Sequence, residues 1–200
     1  MIKKFIINTA MNTVKSYYPE YDQDKLDRIK YGLESIYLSI TKVVVIILIS
    51  ILLGIFKETF LVLLFFNILR ATGFGLHASK SWGCWVSSVP TFIISPLICK
   101  YINIPIYILL TIAIISIIFF IFFAPADTHK RPLIRKKKRI AYKIITVISG
   151  IIYLIFIIFT KDMFLRNCLA ISMLIQSVLI CPLTYKIFKL PYNNYKTYNQ

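Results

Sequence analysis

Acidic side chains are scarce in this sequence: eight Asp and Glu stand against 24 Lys and Arg, a net charge of +16. Histidine is scarcer, with two residues, His77 and His129, and there are only two tryptophans and six glycines. The four cysteines, Cys84, Cys99, Cys168 and Cys181, contain no C-x-x-C pair and no metal-ligand spacing, so no metal is expected. No cofactor is expected either. The run GFGLHA at 73–78 fits G-x-G-x-x-A, but it follows no strand and lies in no βαβ unit, which argues against a dinucleotide loop. Beyond residue 104 the apolar runs hold no acidic residue, no histidine and no central lysine. Transporters and proton relays usually need ionisable groups inside the membrane, so their absence counts against that class. The first 30 residues lack a long apolar stretch and a clear cleavage site, so no cleavable signal is expected.

Apolar residues are abundant: 58% of the 200 residues are hydrophobic and the mean hydropathy is +0.74. Several runs approach or exceed the roughly 18 apolar residues of a membrane-spanning helix. The expectation is an all-α integral membrane protein with about six spans, near 36–56, 58–72, 82–99, 104–124, 140–159 and 165–182. The whole chain reads as a single membrane domain: an N-terminal segment 1–34, transmembrane helices over 36–182 and a tail 183–200. Residues 2–15 form an amphipathic helix with Lys4, Asn8, Asn12 and Lys15 on one stripe, suited to the membrane interface, and Pro19 ends it. The second span is the weak one. Its core, TFLVLLFFNIL, is short, so it must extend into RATGFG, tilt, or enter the bilayer only partly.

On a soluble protein the excess of basic residues would suggest nucleic acid. Here it is read as the positive-inside rule, with no nucleic-acid partner and with anionic lipids or an acidic peptide as additional partners. The basic residues gather at the N-terminus, between Arg70 and Lys80, over 130–143 and in the tail, whereas the opposite loops hold only Lys57, Lys100, Lys161 and Arg166. Both termini, the Arg70–Lys80 loop and the basic loop are therefore expected on the cytoplasmic side of a multi-pass cell-membrane protein. Lys42, inside the first span, is expected to snorkel toward that side.

One short stretch, RATGFGLHASKSWGCWVSS at 70–88, gathers three glycines, His77, both tryptophans and Cys84. Cys84 is the one cysteine with polar and glycine neighbours; the other three lie in or beside apolar runs as small core residues. A thiol becomes a good nucleophile when a base takes its proton. In one straight helix, positions 77 and 84 would be roughly 10 Å apart, too far for a hydrogen bond. The segment must bend, and Gly73, Gly75 and Gly83 permit it. Trp82 and Trp85 would anchor Cys84 at the interface. From these residues alone two readings stand: a His77–Cys84 pair at the cytoplasmic edge, or two unrelated side chains. A small transporter and a non-enzymatic membrane scaffold for export or signalling are the rival classes.

The elements R-x-x-x-x-G-x-H-A with a cysteine seven positions after the histidine, FAPADTHKRPL at 123–133 and YGLESI before the first span resemble the accessory gene regulator B (AgrB) family. The resemblance covers nearly the whole chain, with one departure: Phe74 separates two glycines that the family often has adjacent. It implies a membrane cysteine endopeptidase of quorum sensing, associated with virulence, that cuts the C-terminal part from an AgrD-like precursor peptide and helps close the rest into a thiolactone or lactone. It implies His77 and Cys84 as the catalytic pair. Backbone N–H groups near Cys84, with Ser87 and Ser88, are candidates for steadying the oxyanion. Asp127 is a candidate to orient His77, or alternatively a cap for the basic loop, and His129 reads as a loop residue. Arg70, Lys80, Lys130, Arg131, Lys136, Lys137 and Lys138 are the candidate substrate-binding cations, and the partner set leaves room for a homodimer.

Overall fold

A computed structural model describes residues 2–76, 81–128 and 133–195, with the backbone alone described for Ile2, residues 81–84, 86 and 87. Among the described residues the chain is helical: α1 (Ile2–Tyr17), α2 (Gln23–Leu52), α3 (Phe56–Gly73), α4 (Ser81–Tyr101), α5 (Ile106–Phe123), α6 (Lys136–Phe159), α7 (Met163–Ile180) and the short α8 (Pro182–Ile187). Four of them, α2, α5, α6 and α7, are long and apolar enough to cross a membrane. The spans expected near 36–56, 104–124, 140–159 and 165–182 fall on these four, whereas those expected near 58–72 and 82–99 fall on α3 and α4, which are not among them. α3 carries Lys57, Glu58 and Arg70 in its 18 residues, and α4 contains Pro90 and Pro96.

Two compact units divide the chain, residues 1–48 and 49–200. In the first, α1 and the start of α2 bury Ile7, Met11 and Leu26 together, and Lys3 pairs with Glu34 at 3.2 Å. α1 ends at Tyr17, just before Pro19. The chain is helical again from Gln23 onward, well before the expected start of the first span at residue 36, with the Asp22 carboxylate accepting from the Lys25 N–H at 2.9 Å. Such a side-chain acceptor satisfies an otherwise orphaned first-turn N–H.

In the second unit α7 is the central helix and packs on α3, α4, α5 and α6. Its polar side chains are buried and tie helices together. Asn167 donates to the carbonyls of Cys99 and Ile102 at 3.3 and 3.0 Å, and Ser172 to that of Val62 at 3.2 Å. Between apolar helices such hydrogen bonds and close packing are the main adhesive. α6 adds Tyr153, whose hydroxyl donates to the Phe65 carbonyl at 3.0 Å, and Thr146, bonded to Thr72 at 2.8 Å. α6 begins at Lys136, earlier than the expected 140. Lys and Arg are good helix formers, so the basic run joins the helix.

The helix over the weak second run, α3, continues through Arg70 to Gly73. α3 and α4 pack antiparallel. At one end Lys100 of α4 meets Glu58 of α3 at 3.4 Å, and midway Phe66 and Phe92 stack edge to face with centroids 5.0 Å apart. The end of α3 and the start of α4 therefore share the opposite end of the pair.

Candidate active site

At that shared end the chain leaves α3 in an unusual conformation. Phe74 has φ 54° and ψ −132°, and Gly75 has φ 114°. Positive φ is uncommon for a residue with a side chain and costs on the order of 1 kcal/mol or more. The surroundings hold it in place. The Gly75 N–H donates to the Ala126 carbonyl at 2.8 Å and the Ala126 N–H to the Gly73 carbonyl at 3.1 Å, an isolated parallel bridge. The Leu76 N–H donates to the Leu179 carbonyl at 2.9 Å.

Side chains complete the clamp. Arg70 donates to the carbonyls of Phe74, Gly75 and Leu76 at 2.5, 3.1 and 2.7 Å, and Gln176 donates to that of Phe74 at 3.0 Å. A guanidinium has five donors in a rigid plane and suits a curl of carbonyls better than an ammonium would. The space is as restrictive as the angles. A Cβ on Gly73 would stand 2.5 Å from Gln176 Nε2, and one on Gly75 would stand 2.8 Å from the Leu179 carbonyl oxygen. The chain turns at Phe74 and Gly75, ahead of position 77, and Gly83 lies inside α4; the bend expected between positions 77 and 84 falls on residues outside the described ones.

The loop on the other side of the bridge, residues 124–128, contains a cis Ala124–Pro125 bond and the buried Asp127, 2% exposed. Its carboxylate accepts from the backbone N–H of Asn194 at 2.9 Å, Tyr195 at 2.8 Å and Leu133 at 3.3 Å. A buried charge is tolerable only when hydrogen-bonded in this way. The tail reinforces the contact. The Tyr185 hydroxyl lies 3.2 Å from the carbonyls of both Ala126 and Asp127, and the Tyr192 hydroxyl 3.4 Å from that of Phe123. Burial pushes both phenols up, Tyr192 to about 12; nearby Arg70 opposes the rise at Tyr185.

The sequence-predicted residues distribute as follows. His77, Lys80, His129, Lys130 and Arg131 lie outside the described residues. The backbone of Cys84 falls in the first turn of α4 and that of Ser87 one turn on; Ser88 and Trp85 are half-buried on the same helix. Lys136, Lys137 and Lys138 are exposed in the first turn of α6. Arg70 directs its described hydrogen bonds to the loop carbonyls, and Asp127 directs its carboxylate to the tail and to Leu133. Cys99 and Cys168 are buried and Cys181 half-buried. Among the described residues no three His, Cys, Asp or Glu converge as a metal site. The sequence reading missed Tyr185, Tyr192, Asn194 and Tyr195. The signal available was the aromatic and amide cluster PYNNY at 191–195 in a tail otherwise marked by lysines.

Apolar helices that fit a membrane, with a clamped glycine segment at one end of an antiparallel helix pair, define a helical membrane protein. Residues 7–180 match the sequence profile of the family Accessory gene regulator B. The chain is 32% identical over 171 residues to an AgrB-like protein of Clostridium acetobutylicum, covering 86% of this chain and 82% of that one. It is 33% identical over 178 residues to an AgrB-like protein of Listeria innocua, covering 88% and 87%. Accessory gene regulator protein B of Staphylococcus aureus is 29% identical over 161 residues, covering 79% and 83%. The chain belongs to the accessory gene regulator B family. No solved structure matches it.

Proposed function

We propose that this protein is a membrane cysteine endopeptidase that cuts an AgrD-like precursor peptide through Cys84 and His77 and promotes ring closure of the released quorum-sensing signal. One observation carries the reading. The clamped segment 73–76, which immediately precedes His77 in the sequence, lies at the end of the α3–α4 pair where the backbone of Cys84 falls in the first turn of α4. A segment fixed this close to the start of α4 favours the reading in which residues 77 and 84 act as a pair. The first turn of a helix has free backbone N–H groups and a favourable dipole for negative charge, which suits a thiolate and an oxyanion.

The steps balance without a cofactor. His77 takes the Cys84 proton, and the sulfur attacks a precursor carbonyl. The C–N bond then breaks, the departing amine takes the proton from His77, and a thioester remains on Cys84. A cysteine thiol of the precursor attacks that thioester, closing a thiolactone and returning the proton to Cys84; a hydroxyl in its place would give a lactone. One thioester replaces another, so ring closure is nearly isoenergetic, and hydrolysis is suppressed where water is kept out. Ser87 and Ser88 lie within a turn of Cys84 and remain candidates for the oxyanion. Arg70 acts through the loop it holds. Six spans with both termini cytoplasmic put this site on the side where the precursor is made, and Lys80, Lys130, Arg131, Lys137 and Lys138 supply positive charge around it.

Co-expression with the candidate precursor, followed by mass spectrometry, tests the reading. Cys84→Ala, Cys84→Ser and His77→Ala are expected to abolish cleavage, while Cys99→Ala, Cys168→Ala, Cys181→Ala and His129→Ala retain it. Full cleavage by Cys84→Ala would sink the enzymatic reading.

A further inference from the structure

A cavity of about 430 Å³ opens where α5 ends, α6 begins and the tail passes. Lys136, Arg139 and Lys143 line it from α6, Tyr192 and Tyr195 from the tail, and Phe122 from α5. At 3.6 residues per turn, positions 136, 139 and 143 share one face of α6, and 137 and 138 turn away from it. Arg139 is held in place: it donates to the Leu133 carbonyl at 3.2 Å and lies over the Tyr195 ring, 3.6 Å from its centroid. Among the described residues no acidic side chain lines the cavity and no carboxylate pairs with any of the three cations. Next to this hollow, Phe122, Ile140 and Ile144 leave an apolar surface exposed along α5 and α6.

We propose that this cavity binds the phosphate head of an anionic glycerophospholipid, with the acyl chains lying on Phe122, Ile140 and Ile144. Basic hollows between membrane helices bind such heads. Charge alone would also suit an acidic peptide; the exposed apolar edge that continues from the cavity selects the lipid. The site goes beyond the peptidase reading and does not depend on Cys84. It also divides the basic run, giving Lys136 to the lipid and leaving Lys137 and Lys138 facing outward.

The full-length protein in detergent micelles is titrated with phosphatidylglycerol, phosphatidylcholine, glycerol phosphate and a short acidic peptide, and bound molecules are counted by native mass spectrometry. Saturable binding of phosphatidylglycerol is expected, with phosphatidylcholine and glycerol phosphate far weaker. Lys136→Gln/Lys143→Gln weakens phosphatidylglycerol binding roughly thirty-fold. Lys136→Arg/Lys143→Arg retains it, which separates lost charge from lost fold. Lys137→Gln/Lys138→Gln removes the same charge and leaves lipid binding close to wild type. Equal losses from the two Gln pairs would reduce the effect to general surface attraction and overturn the site. So would glycerol phosphate binding as tightly as the lipid, or binding of the acidic peptide alone.

Discussion

Gly75 has φ 114°, and the Leu179 carbonyl oxygen lies 2.8 Å from where a Cβ would stand. Gly75→Ala is therefore expected to cost about 1 kcal/mol or more of stability and to reduce precursor cleavage, read by thermal unfolding in detergent and by mass spectrometry. Gly32 is the contrast: it sits inside α2 with nothing within 4 Å of the same position. Gly32→Ala is expected to stabilise by about 0.5–1 kcal/mol through helix propensity and to leave cleavage unchanged. Arg70→Lys keeps the charge but cannot match three carbonyls with one fork, so a loss of about 2 kcal/mol is expected, with cleavage falling alongside. If Arg70 instead contacts the substrate by charge, Arg70→Lys would leave both unfolding and KM close to wild type, and Arg70→Gln would raise KM. The sequence marked these residues as unusual by type: glycines, a histidine and a cysteine in an apolar chain. It did not reveal what Arg70 serves. Its described acceptors are backbone carbonyls, which every residue carries, and the further support comes from Gln176 and Leu179, about a hundred positions away.

The helices were legible because their apolar runs are long and breaks fall at Pro19 and the glycine stretch; the first apolar helix, expected to reach residue 56, instead ends at Leu52, before the positive-φ Gly54. Boundaries shifted where polar residues with high helix propensity joined a helix, as at Gln23 and Lys136. The tail was not legible. It looks like a polar segment, yet it is bound through the backbone N–H groups of Asn194 and Tyr195, and backbone donors leave no trace in side-chain pattern. Asp127→Asn keeps the shape but presents an amide to those donors, so it is expected to release the tail to added protease. A tail that stays protected while cleavage is lost would return Asp127 to the role of orienting His77. Tyr192 offers a second handle. Burial, with Tyr195 and Asp127 adding, raises its phenol from 10.0 to about 12. The folded state thus favours the protonated form, and its contribution is complete below pH 10 and lost as pH rises through about 12. A tyrosinate absorbance titration is expected to contain a component near pH 12 that is missing in Tyr192→Phe.

Across the whole molecule, the distribution of Lys and Arg is expected to set orientation. In a cysteine-free background, cysteines placed at Lys57 and Lys161 are expected to react with an impermeant thiol reagent on intact cells. Cysteines at Lys80 and Lys137 are expected to react only after permeabilisation. Labelling of position 80 from outside would put the site on the wrong face for a precursor made in the cytoplasm. The Asp127 anchorage has a further consequence, in time rather than space. Its carboxylate waits for N–H groups that lie 67 and 68 positions later in the chain, with α6 and α7 between. During synthesis the loop that braces Phe74 and Gly75 stays without these tail contacts until both helices have entered the membrane and the tail has left the ribosome. A growing chain would thus carry the Cys84 thiol well before this bracing is complete, so the proposed peptidase would reach full activity only once insertion is finished.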